Sequence, residues 1–278
     1  MNDQPTNPDP GVTAPVAVRA GGRRLLWRPP VVWTIRVVVF VVIVVAWEAY
    51  GHTVSRSLFA PPSAIAVAVW RLFVEQQVML PALAISFGSL IAGFVPAIVV
   101  GVVAGLVMGR VRMIERLLTP YIVFVFSIPY IALIPLLVVW FGVEGPLRAV
   151  LVFLASVFPV LVNTIAGVKE VDRDLIDVAV ANCATNLQLI RTVVLPSALP
   201  YIFTGVQVAL GLALVGVIVA EMTAAVTGIG GLIITYANFF QTAEMFVPII
   251  TLMIVSVMLN QAMLAVQGRL SRWQRSGE

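Results

Sequence analysis

Long apolar runs broken by short polar or charged stretches dominate the chain, and they lack the narrow apolar stripe of a soluble surface helix. A membrane helix needs about 20 mostly apolar residues. The pattern therefore predicts an all-α integral membrane protein with six spans, roughly Val31–Tyr50, Ala84–Met108, Leu117–Phe141, Ala149–Val168, Tyr201–Ala225 and Met245–Gln267. Four of them sit in uncharged stretches bounded by Glu75 and Arg110, Arg116 and Glu144, Arg148 and Lys169, and Glu244 and Arg269. The first carries Arg36 and Glu48, which can snorkel toward headgroups. Trp27 and Trp33 at one end and Trp47 and Tyr50 at the other fit two interfaces.

Residues 169–200 follow a different pattern. Charge returns abruptly in Lys169-Glu170-Val171-Asp172-Arg173-Asp174. Asp172 can cap a helix in which Leu175, Ile176, Ala179 and Val180 share a face. Asn182 to Asn186 reads as a joint. Asn186 can cap a second short helix, with Leu187, Ile190 and Val194 on one side, ending before Leu195-Pro196. Two short amphipathic helices between long spans make a structured knob, although a helix lying on lipid would show the same patterning. Within the spans, Gly101, Gly105 and Gly109 repeat every four residues, the spacing at which two membrane helices approach closely. Pro96, Pro120, Pro129, Pro135 and Pro159 fall in or near spans, as kinks along a pathway or as ordinary bundle irregularity.

Composition fixes the solvent and removes several chemistries. Of 278 residues 60% are hydrophobic and 11% charged, against about 25% charged in soluble domains. With a mean hydropathy of +1.04, too little charge remains to cover a water-facing surface. The single His52, Cys183 and Lys169 leave no material for a metal cage or a disulfide. Lys169 lies in Val-Lys-Glu, so the chain has no phosphate-binding Gly-Lys-Ser/Thr loop. Neither cofactor, metal, catalytic residue nor nucleic-acid partner is expected.

Charge placement predicts the orientation. With the N-terminus inside, fourteen of seventeen basic residues fall on the cytoplasmic side, leaving Arg56, Arg71 and Arg148 outside. Both termini are then cytoplasmic. Residues 1–30 read as a disordered tail, 31–270 as the membrane domain and 271–278 as a short tail. The first span reads as an anchor that is kept, because no small-x-small cleavage site follows Val45. Glu48 and Glu221, near the outer ends of spans one and five, read as carboxylates standing alone. They line a pathway or an interface, or take part in a proton relay.

The knob resembles the Glu-Ala-Ala loop of binding-protein-dependent ABC importer permeases, E-A-A-x3-G-x9-I-x-L-P. Aligned on its Leu-Pro, the pattern falls on Asp177, Val178, Ala179, Cys183, Val193, Leu195 and Pro196. Ala179, Leu195 and Pro196 match, Asp177 and Val193 are close replacements, and Val178 and Cys183 depart. Leu58-Phe59-Ala60-Pro61-Pro62-Ser63, Ile128-Pro129, Trp140-Phe141-Gly142, Phe158-Pro159 and Ala220-Glu221 resemble the nitrate, sulfonate and taurine subgroup.

The resemblance implies a type I permease subunit in a bacterial inner membrane, working as a dimer. It would have two cytoplasmic ATPase subunits and an external solute-binding protein as partners, and a small anion as cargo. An ion- or proton-coupled secondary carrier is the alternative, and it leaves the knob without a task. At Cys183, where the family pattern has Gly, Cys would be strained at positive φ. Close packing against the ATPase is therefore expected there, with Asp177 facing a basic or donor group of that partner.

Overall fold

In hydrocarbon every backbone N–H and C=O must find a partner within the chain, and a helix provides one turn by turn. The computed structural model describes residues 29–55, 57–143 and 145–270, most of them helical and, among these, none in a strand. Its helices are α1 (Pro29–Thr53), α2 (Pro62–Trp70), α3 (Met79–Arg110), α4 (Arg112–Phe126), α5 (Ile134–Phe141) and α6 (Gly145–Lys169). They continue as α7 (Arg173–Ala181), α8 (Asn186–Leu189), α9 (Leu195–Ala220), α10 (Gly228–Asn238) and α11 (Thr242–Leu270). Residues 1–28 and 271–278 lie outside the described residues, as do Arg56 and Glu144, and Pro29 and Pro30, read as the end of the first tail, instead open α1.

Among the described residues five helical stretches are long and apolar enough to cross a membrane; the sixth candidate is broken. The span predicted over Leu117–Phe141 is two pieces, Arg112–Phe126 and Tyr130–Phe141, bent by 74°. Pro129 explains the break. It donates no N–H, and its ring pushes Ile128 out of the helical region. The fifth span is longer than expected. Asn186–Ala224 is one helical run of 39 residues, about 58 Å if straight, against a hydrocarbon core of about 30 Å. Its first turns thus stand clear of the membrane at the end that carries α7, here called the knob end.

α3, α6 and α9 form the centre. Gly93 faces Val152, Gly101 faces Val160, Gly105 faces Thr164 and Gly109 faces Val168, each glycine opposite the residue 59 positions further on. A constant offset means that α3 and α6 run parallel with their backbones in close approach. A Cβ on Gly105 would come 2.5 Å from the Thr164 Cβ. α9 runs the other way along α6, with Gly205 against Asn163 and Gly167 against Tyr201. Polar side chains at this seam bond within their own helix: Ser156 Oγ donates to the Val152 carbonyl and Thr164 Oγ1 to that of Val160.

α1 touches the rest only near its end. There Trp47 donates to the Ala60 carbonyl (3.0 Å) and packs against Phe59 and Phe246. Earlier residues such as Phe40 and Val42 are exposed, as lipid-facing side chains are. Two helices lie outside the predicted set, α2 and α10. Both are short and bounded by turns, so span-length hydropathy does not register them. α2 starts at Pro62, where proline's fixed φ suits a first turn. α10 folds back beside α9 after a tight turn at Val226–Gly228.

Candidate functional site

The knob begins at Asp172, whose carboxylate accepts from the Asp174 N–H and caps α7 (3.0 Å). Ile176 and Ala179 turn toward the core, whereas Leu175 and Val180 are exposed, so the four do not share one buried face. Asp177 and Val178 point outward. Asp177 has no hydrogen bond or ion pair among the described residues.

The joint corrects the expectation for Cys183. Its φ is +56°, the left-handed backbone that expectation had set aside, and its side chain is exposed. The Cys183 N–H reaches the Val180 carbonyl (2.9 Å) and the Ala184 N–H reaches that of Ala179 (3.1 Å). These two bonds define a Schellman stop with Cys183 in the left-handed position usually held by glycine. Glycine would adopt this backbone freely, and Cys183 meets it under strain.

The cap of the second helix is Thr185, one residue before the expected Asn186. Thr185 and Gln188 form a reciprocal capping box. The helix does not end before Leu195-Pro196 either. It passes through a π turn at Ile190–Val194 directly into α9. The wider turn suits a sequence in which Pro196 has no N–H to donate. Val193 and Leu195 are half-buried against the core.

At the far end, Glu221 is fully buried among partners, so it does not stand alone. Its carboxylate accepts from Ser86 Oγ (2.8 and 2.9 Å) and from the Gly230 N–H (2.9 Å), and Ser86 Oγ accepts from the Ile229 N–H (2.9 Å). Residues of α3 and of the turn after α9 therefore cap the first N–H groups of α10, and no local side chain does so. Arg148 completes the cluster by donating to Ser89 Oγ (2.9 Å) and Thr227 Oγ1 (2.6 Å). The turn is strained: Val226 has φ +44° and Gly228 +68°, and a Cβ on Gly228 would come 2.2 Å from Glu221 Oε1.

Glu48 also has partners. It accepts from the Ser63 N–H (3.0 Å) and Ser63 Oγ (2.6 Å), and it meets His52 Nε2 at 2.9 Å. His52 follows by one helical turn, a spacing legible in the sequence. Nearby, Arg71 pairs with Glu244 at 2.6 Å. These contacts surround a cavity of about 520 Å³ between α2 and the start of α11. Among the described residues no three His, Cys, Asp or Glu side chains gather into a metal site.

Residues 97–276 match the family described as binding-protein-dependent transport system inner membrane component. The chain belongs to this family. It is 30% identical, over 85% of its length and 86% of the relative's, to the putative aliphatic sulfonates transport permease protein SsuC of Bacillus subtilis. It is 29% identical, over 90% of its length and 94% of the relative's, to the taurine transport system permease protein TauC of Escherichia coli. A solved chain of the MetNI methionine ABC transporter superposes with a TM-score of 0.57 at 20% identity, covering 72% of this chain and 98% of that one. That likeness concerns the fold. The chain is accordingly a multi-pass permease of the ABC importer class and not an enzyme.

Proposed function

We propose that this chain is the membrane-spanning subunit of an importer for a small organic anion of the sulfonate class, powered by ATPase subunits that dock on the α7–α8 knob. The observation that carries the reading is the continuity of α8, the π turn and α9. A push on the knob reaches the far end through one helix, where α9 ends at Glu221 and so at the cap of α10. Exposed Val178 (60%) and Leu187 (62%) give the knob apolar contacts for a protein partner beyond the spans. The sulfonate class is supported by SsuC and TauC, similar over most of the chain. The arrangement calls for two permease copies, an external solute-binding protein, and the knob and both termini on the cytoplasmic side of the inner membrane.

Uptake in membrane vesicles should require a co-expressed ATPase and ATP, and should survive a protonophore while ATP is maintained. Uptake by this chain alone, driven by a pH gradient, would establish the secondary carrier instead. Asp177→Ala should leave the permease folded but reduce ATPase attachment and uptake. Normal uptake in that variant would remove Asp177 from the interface.

A further inference from the structure

One cavity has no part in the coupling described above. It measures about 720 Å³ and lies at the knob end, between the start of α4, the end of α6 and the start of α7. Arg112, Arg116, Lys169 and Arg173 line it against a single carboxylate, Glu115. Lys169 pairs with Glu115, whereas Arg112, Arg116 and Arg173 form no ion pair among the described residues. Three like charges facing one space repel one another, and an anion there removes the repulsion.

We propose that this cavity seats the phosphate headgroup of an anionic membrane lipid. Depth is the first argument. Arg110 and Lys169 are the last residues of two spans, so the cavity lies where the chain leaves the hydrocarbon, at headgroup level. Shape is the second. The lining reaches Thr119, seven residues along α4 from Arg112, about 10 Å deeper. α4 has no buried residue, and Val123 and Phe126, four and seven residues past Thr119 on the same helix face, lie exposed. A lipid with its phosphate among the arginines can lay its acyl chains on that face, which a free anion would leave bare. Basic pockets between spans on the cytoplasmic side have the electrostatics that hold anionic headgroups. Arg173 and Ile176 belong to α7, so the bound lipid steadies the knob against α4 and α6 and makes its position responsive to membrane composition.

The test is native mass spectrometry of the full chain purified with its co-purifying subunits, together with crosslinking by photoactivatable phosphatidylglycerol in mixed vesicles. Phosphatidylglycerol should stay bound, and crosslinks should fall within residues 112–126 and 168–176. Arg112→Gln with Arg116→Gln should retain it roughly 10- to 30-fold more weakly. Arg112→Lys with Arg116→Lys should keep most of it, and Arg269→Gln, at the same end but outside the cavity, should keep all of it. Crosslink mapping on the unaltered chain decides the matter even where the double glutamine variant does not fold. Crosslinks confined elsewhere, or unchanged retention in a folded glutamine variant, would overturn the proposal. So would displacement by millimolar inorganic phosphate, which would mark a free-anion site. Loss of a co-purifying subunit with lipid retention unchanged would make the cavity a protein dock and also overturn it.

Discussion

At Cys183 a side chain occupies a backbone position made for glycine, and the consequence is measurable. A left-handed φ costs an L-residue about 1–2 kcal/mol, partly offset in glycine by the entropy of its freer unfolded chain. Cys183→Gly should therefore hold or raise the thermal midpoint. Cys183→Val, β-branched in the same conformation, should lower stability by about 1 kcal/mol relative to the glycine variant, read by thermal unfolding in detergent. Glu221 offers the complementary case, since its carboxylate oxygens accept every bond they make there. Glu221→Gln turns one acceptor into an NH2 donor facing hydroxyl or amide donors, and should destabilise by about 1–3 kcal/mol. Gly228→Ala meets both the positive φ and the Glu221 oxygens, so it should impair folding at least as much, with loss of monodisperse protein as the readout.

At the scale of elements, the parallel α3–α6 pair depends on four glycines whose missing side chains let the backbones meet. Gly105→Val should cost about 1–3 kcal/mol by overpacking, whereas Gly88→Ala, where nothing lies within 4 Å, should be nearly neutral on the same thermal assay. The Gly101, Gly105 and Gly109 spacing named the face in advance but not its partner. A repeat shows which side of a helix is small; only the fold supplies the helix that fills it. The knob divides in the same way. Two short helices and the Asp172 cap were legible in the sequence because capping and amphipathic spacing are local. The passage of the second helix through Pro196 was not, because the π turn that accommodates it is held by packing of Val194 and Ala198 in the core.

At the scale of the molecule, the charge distribution predicts an orientation. Reporter fusions after Arg112 and Lys169 should read cytoplasmic, and fusions after Ser57 and Phe240 external. A cytoplasmic reading at Phe240 beside one at Lys169 would show that α9 does not cross as a span. A further fusion at Gly145 tests the bent third span, since Arg112 and Gly145 must lie on opposite sides for α4 and α5 together to cross.

Hydropathy alone determined the solvent, the approximate spans and the isolated polar knob, because the transfer of about 20 apolar residues into lipid is a large and additive term. Residue counts alone likewise left no material for a His/Cys metal cage or a Gly-Lys-Ser/Thr phosphate loop. Tertiary structure decided what happens to single polar groups. Glu221 looked like an isolated carboxylate because its partner Ser86 is remote in sequence, and Gly230 is on a different helix. It also decided the sign of φ at Cys183 and the gathering of Arg112, Arg116, Lys169 and Arg173 around one cavity. Such outcomes depend on which backbones approach within a few ångströms, and no local pattern encodes that distance.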